Sequence, residues 1–309
     1  MSRSSILSVA AAFCLAAPMS TTALGGVVRA SNLVGWWMMG EGAAWNGSSW
    51  TVPDASGAGN AGASVRMLQT DRVAGYPFTP YVGTSYAMQF DGTADSKYVS
   101  IPYSPSLVMT SSFTLCAWVR QSTAVAGDAM IVDRCDPNEV HNYALQLENS
   151  QVSMSFYDDY YANHGLWPWP KVNGATTLNL NQWYAVAGVF DNTAHTLTVY
   201  LDGVQDAQLS ILGGSPDGSS LQGVAIGGEP AENLRWFSGS IDDVRIYNAA
   251  LSASDIAAIY NGGRGDFAAA PEPSSLVLLG ACAVVLLGYG CRRRRRAASR
   301  QSTMCAARR

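Results

Sequence analysis

Ser112-Phe113-Thr114-Leu115-Cys116-Ala117-Trp118-Val119 is the stretch on which the fold turns. Side chains on a strand point to opposite faces in turn, and this run keeps a period of two for a full strand length. Tyr143 to Leu147 and Val152 to Phe156 repeat the pattern, and Trp183 to Phe190 and Leu197 to Leu201 follow. Asp202-Gly203, set between Leu201 and Val204, predicts a tight hairpin turn in which glycine supplies a positive φ. Glycine is frequent and long helical periodicity is missing. One helix is predicted, Ser252 to Tyr260. Ser252 caps it, Asp255 completes a capping-box pair, and Ile256, Ile259 and Tyr260 form an apolar stripe. Together these elements predict an all-β, two-sheet antiparallel sandwich. Trp36, Trp118 and Trp183 fall inside strand patterns, which assigns them to core packing.

An ordered series of short motifs carries a resemblance. Leu33-Val34-Gly35-Trp36-Trp37 with Gly40-Glu41-Gly42, and the run Asp54 to Gly62, open it. Ala87-Met88-Gln89-Phe90-Asp91-Gly92, the stretch from Ser112 to Val119, and Asn181 to Ala187 continue it. Val199 to Gly203, Ile226-Gly227-Gly228 and the run Phe237 to Asn248 close it. The series resembles the laminin G-like, concanavalin A-like jelly roll over about Leu33 to Gly262, which implies that fold for residues 31–264. Jelly rolls of this kind often hold one structural calcium near the start and end of the domain. By this resemblance Glu41, Asp91 and Asp242 are candidate ligands, with Asp54 a further one; each carboxylate is equally placed to cap a turn.

The termini set the compartment. Arg3 precedes an apolar core from Ile6 to Ala17, and Thr21-Thr22-Ala23 supplies small residues for a signal peptidase, so residues 1–23 read as a signal peptide. Val28-Arg29-Ala30 is a second cleavage candidate, and Phe13 before Cys14 argues against a lipoprotein. Residues 265–273 form a linker ending in Pro271-Glu272-Pro273, and residues 274–291 an apolar membrane-spanning helix. Arg292, Arg293, Arg294, Arg295 and Arg296 then open a basic tail, 292–309, that stays on the cytoplasmic side. The order Pro-Glu-Pro, apolar segment, arginine cluster resembles the PEP-CTERM sorting signal, although the tail runs longer than such signals usually do. It implies an exosortase-like enzyme as partner. It also implies export, with the domain outside an inner-membrane anchor or released to the outer surface or extracellular matrix.

Charge narrows the partners. Ten of the 19 basic residues lie outside Ser31–Asp266, leaving nine against 22 of the 23 acids, a net charge near −13. An acidic body argues against nucleic acid and against anionic lipid surfaces. Cys116 and Cys135 are the exported domain's only cysteines. In an oxidising compartment they are a disulfide candidate, and spacing alone leaves two buried free thiols equally open. With no CxxC pair, a structural zinc site is not expected.

Catalytic patterns are missing. Glu41, Glu139, Glu148, Glu229 and Glu232 are scattered, and Asp158-Asp159 and Asp242-Asp243 are adjacent, so paired glycanase carboxylates on one strand face are not expected. His141, His164 and His195 are far apart with no His-Glu-x-x-His helix. The chain therefore reads as a non-enzyme. The most distinctive segment is Phe156 to Lys171, FYDDYYANHGLWPWPK. Tyr157, Tyr160, Tyr161, Trp167 and Trp169 crowd a proline-broken loop in which ring faces can stack on sugars. Asp158, Asp159 and Asn163 supply hydrogen bonds there. The same loop can instead fold its aromatics down as a lid over one sheet. Extracellular polysaccharide is the leading ligand class and surface proteins are the alternative partners, through a structural role in a biofilm matrix. A glycan-active enzyme without a recognisable motif is the third reading.

Overall fold

A computed structural model describes residues 28–262, apart from 75–85, 94–96, 159–160, 162–163, 166–169 and 232. The expected signal peptide and the whole expected sorting signal, including Pro271 to Pro273 and Arg292 to Arg296, lie outside the described residues. So does the expected spanning segment 274–291; among the described residues no helix is long and apolar enough to cross a membrane.

Two antiparallel sheets form a jelly-roll sandwich. In spatial order the eight-stranded sheet runs β15 (Val204–Ser210), β14 (Thr196–Leu201), β13 (Tyr184–Asp191), β8 (Phe113–Gln121), β17 (Ser238–Tyr247), β6 (Tyr86–Asp91) and β5 (Arg72–Ala74). Its eighth member, β1 (Leu33–Trp37), pairs with the far half of β17 through Trp37↔Val244 and Leu33↔Tyr247, whereas β6 pairs with Ser238 to Ile241. The nine-stranded sheet runs β12 (Lys171–Thr177), β11 (Gln151–Ser155), β10 (His141–Glu148), β9 (Asp128–Cys135), β16 (Val224–Ile226), β7 (Tyr98–Ile101), β4 (Gly62–Val65), β3 (Trp50–Val52) and β2 (Ala44–Trp45). The hairpin at Asp202-Gly203 closes as expected, both residues at positive φ and Leu201 paired with Val204.

β8 explains why its sequence reads as it does. Phe113, Leu115, Ala117 and Val119 enter the core between the sheets, where Phe113 meets Tyr143, Phe156 and Phe190 at ring separations of 5.7, 6.2 and 5.8 Å. The alternate residues face a second apolar layer. Cys116 packs there with Trp36, Tyr200, Ile256 and Ile259, and Trp118 stacks on Tyr260 at 5.7 Å. The covering element is helix α1 (Ala253–Gly262), with Ser252 and Asp255 exchanging the expected capping bonds. Trp36 and Trp118 are thus buried on the helix side of the sheet. Trp183 instead precedes β13, half-buried beneath the Arg120 guanidinium.

Candidate functional site

The four candidate calcium ligands do not converge. Asp54 is a loop organiser: Oδ1 accepts the backbone N–H groups of Trp36 and Ser56, and Oδ2 that of Asn60. Asp91 lies at the far end of β6 opposite Ser238, with Lys97 3.5 Å from its carboxylate. Glu41 and Asp242 are the pair that share a neighbourhood. Glu41 Oε1 accepts the Tyr86 N–H at 2.7 Å, and burial raises the Glu41 carboxyl above its usual range. Asp242 is buried; desolvation raises it well above the carboxylate range, and the Glu41 and Asp243 charges add to that shift.

The backbone explains this crowding. β17 changes partner from β6 to β1 near Asp242, its register against β8 shifts between Asp242 and Arg245, and Asp243 takes a φ of 48°. Such a bulge breaks the strict alternation from which opposite faces were expected for Asp242 and Asp243. Asp243 is committed to Arg245 through bonds of 3.0 and 2.7 Å and to the Trp36 indole N–H. Burial in apolar surroundings penalises the Arg245 charge, yet Asp243 holds its pKa raised, and the guanidinium lies 4.6 Å from the Trp36 ring centroid.

In the aromatic segment, Asp159, Tyr160, Asn163, Trp167 and Trp169 lie outside the described residues. The described members anchor it. The Tyr157 N–H bonds the His141 carbonyl, and the Tyr161 hydroxyl accepts the Leu212 N–H while its ring packs against the core. Asp158, expected at the ligand surface, is instead 1% exposed and wedged against Gly214 in a bridge to Pro216. It belongs to the base of the segment.

The candidate disulfide is not formed. Cys116 and Cys135 are free buried thiols on strands of different sheets, Cys116 beneath α1. Burial pushes the Cys116 thiol up to about 12. Cys135 sits in a polar cluster that sequence reading missed. The ligand atoms of Asp133, Cys135, His141 and Glu229, all four buried, lie within 4.8 Å of one another. Asp133 and Cys135 are two apart on β9, His141 stands opposite Cys135 on β10, and Glu229 arrives from the turn after β16. The one sequence signal was the short Cys135–His141 hairpin; the partner 94 residues away had none. Beside the cluster a cavity of about 250 Å³ is lined by Asp133, Cys135, Tyr98, Gln222 and Pro230.

No curated protein matches this chain. Residues 269–295 match the PEP-CTERM protein-sorting motif. Among solved structures, the binding domain of Paraclostridial Mosquitocidal Protein 1 superposes with a TM-score of 0.54 at 15% identity, over 75% of this chain and 52% of that one. Domain 4 of AbnA, a GH43 extracellular arabinanase from Geobacillus stearothermophilus in complex with arabinotriose, gives 0.51 at 17%, over 73% and 97%. The Botulinum neurotoxin serotype G binding domain gives 0.51 at 15%, over 74% and 50%. The chain spans about half the length of the mosquitocidal-protein chain, and at these identities the likeness is one of fold. Residues 91–257, more than half of the sequence, match the concanavalin A-like lectin/glucanases superfamily, and the chain belongs to that family.

Proposed function

We propose that this protein is an exported, membrane-tethered, non-catalytic binding module that recognises extracellular polysaccharide through the segment 156–171. The observation that carries the reading is the arrangement of that segment. An aromatic-rich insertion between β11 and β12 is pinned at its base by Phe156, Asp158 and Tyr161, and its sequence adds Tyr160, Trp167 and Trp169, ring types suited to stacking on sugars. Support comes from domain 4 of the arabinanase, which shares the fold and is described in complex with arabinotriose. The sorting motif supports handling by an exosortase-like enzyme at the C-terminus. The part-buried Glu41 and the buried Asp242, whose charge Glu41 opposes, suit one structural calcium, which would offset that repulsion. They would brace the crossover from β6 to β1.

Polysaccharide pull-down tests the reading. The full chain in detergent should be retained by insoluble or immobilised polysaccharide, and Trp167→Ala with Trp169→Ala should weaken retention at least tenfold while the melting temperature holds. Retention unchanged by the double substitution would remove the loop from the account. Self-association without any polysaccharide retention would favour a matrix component acting through protein contacts.

A further inference from the structure

The cluster on the nine-stranded sheet has the geometry of a different metal site, unrelated to calcium. Val132 points into the core, so by strand alternation Asp133 and Cys135 belong to the outer face, where His141 of β10 is paired opposite Cys135. Cys135 Sγ stands 3.6 Å from His141 Nε2 and 3.6 Å from Glu229 Oε1, and the last two are 3.9 Å apart. A point equidistant from these three atoms lies about 2.1 Å from each, against zinc–nitrogen and zinc–oxygen bonds of about 2.0–2.2 Å and zinc–sulfur bonds of about 2.3 Å.

Neighbouring side chains orient two of the three ligand atoms, and the ion would displace the proton of the third, the Cys135 thiol that otherwise bonds the Asp136 carbonyl. The Asp133 carboxylate accepts the His141 Nδ1–H at 2.8 Å, which keeps the proton on Nδ1 and turns the Nε2 lone pair to the centre of the triangle. Arg235 binds the other oxygen of Glu229, Oε2, while Oε1 faces Cys135 Sγ and the same centre. Thiolate and imidazole are poor partners for calcium and good ones for a borderline-soft ion. With a divalent ion bound, the Cys135 thiolate, the Asp133 and Glu229 carboxylates and the Arg235 cation sum to zero charge.

We propose that Cys135, His141 and Glu229 form a three-ligand site for a zinc-class divalent cation, with Asp133 as the residue that positions His141. Three ligands leave a fourth tetrahedral position for water or another oxygen donor, and the cavity lined by Asp133 and Cys135 adjoins the site. The bound ion would reinforce the turn after β16, which backbone bonds from Gly227 to Ile131 and from Met130 to Arg235 already join to β9.

Cobalt(II) is the probe. The full chain, purified in detergent and stripped with chelator, is titrated with cobalt while the near-ultraviolet thiolate-to-metal band is followed. One cobalt per chain should bind with that band and be displaced by zinc. The band should persist in a chain whose other five cysteines are alanine and vanish in Cys135→Ala. Asp133→Asn should keep the band position but weaken affinity about 10- to 100-fold. Absence of the band in the wild type, or its survival in Cys135→Ala, would overturn the proposal. Should Cys135→Ala fail to fold, X-ray absorption of the wild-type zinc form decides: one sulfur scatterer with nitrogen or oxygen neighbours supports the site, and a shell without sulfur refutes it.

Discussion

Replacing Asp243 by alanine should be among the most destabilising single changes in the domain. Arg245 and Asp243 have side-chain exposures of only 9% and 12%, and their bidentate contact, at 3.0 and 2.7 Å, is the charge pairing that Arg245 has within the sheet. In Asp243→Ala the guanidinium stays buried between β1, β8 and the Trp36 ring without its counter-charge. Breaking one side of such a pair typically costs about 3–5 kcal/mol. The retained ring contact returns no more than about 1–2 kcal/mol, and the Trp36 indole N–H loses its acceptor as well. The expected loss is therefore about 3–4 kcal/mol, a large share of a typical domain stability of about 5–15 kcal/mol. Urea unfolding of the full chain in detergent, followed by tryptophan fluorescence with divalent ions held constant, measures it. The double substitution Asp243→Ala with Arg245→Met removes the orphaned charge and should recover at least half of the loss. A single-substitution cost below about 1 kcal/mol, or a double variant no better than the single, would refute this reasoning.

Two further outcomes test the packing and the cap. Gly227 has a φ of 93°, and a Cβ there would stand 2.3 Å from the Phe90 ring, so Gly227→Ala should lower stability by at least about 2 kcal/mol in the same unfolding assay. Partial burial opposes ionisation of Asp255, but bonds from Ser252 and the nearby Arg29 outweigh it and lower its pKa. A carboxylate with a lowered folded pKa stabilises above its unfolded value and loses that contribution as pH falls through the folded one. Asp255→Ala should therefore cost about 1 kcal/mol at neutral pH and progressively less below about pH 4, read from urea midpoints across pH.

Much of the fold was legible because its signals are local. Period-two alternation marked β8, β10, β11, β13 and β14, the Asp202-Gly203 turn fixed one hairpin, and Ser252 with Asp255 marked the start of α1. What alternation could not reveal was that β8 is buried on both faces, because an apolar residue on either side reads alike; the Trp118–Tyr260 stack assigned the second face to the helix. Trp183 was placed one residue inside a strand that begins at Tyr184.

The sites were less legible because they depend on distant pairings. Glu41 meets the Asp242 region through β6 and a bulge at which Asp243 takes a positive φ, and strand patterning does not mark where such a bulge falls. The His141 cluster needs a β9–β10 register and a turn 94 residues downstream of Cys135. Residue type alone also misjudged Asp158, since an acid in an aromatic loop looks exposed until its backbone bridges to Pro216.

The central claim, recognition of polysaccharide, is tested most directly by a glycan and polysaccharide array probed with the full chain, once with calcium and once with chelator. The account expects binding to a defined class of glycans that falls in chelator and falls again in Glu41→Gln and Asp242→Asn. Binding to none of the glycans in either condition, by protein whose folding is verified by circular dichroism, would contradict it.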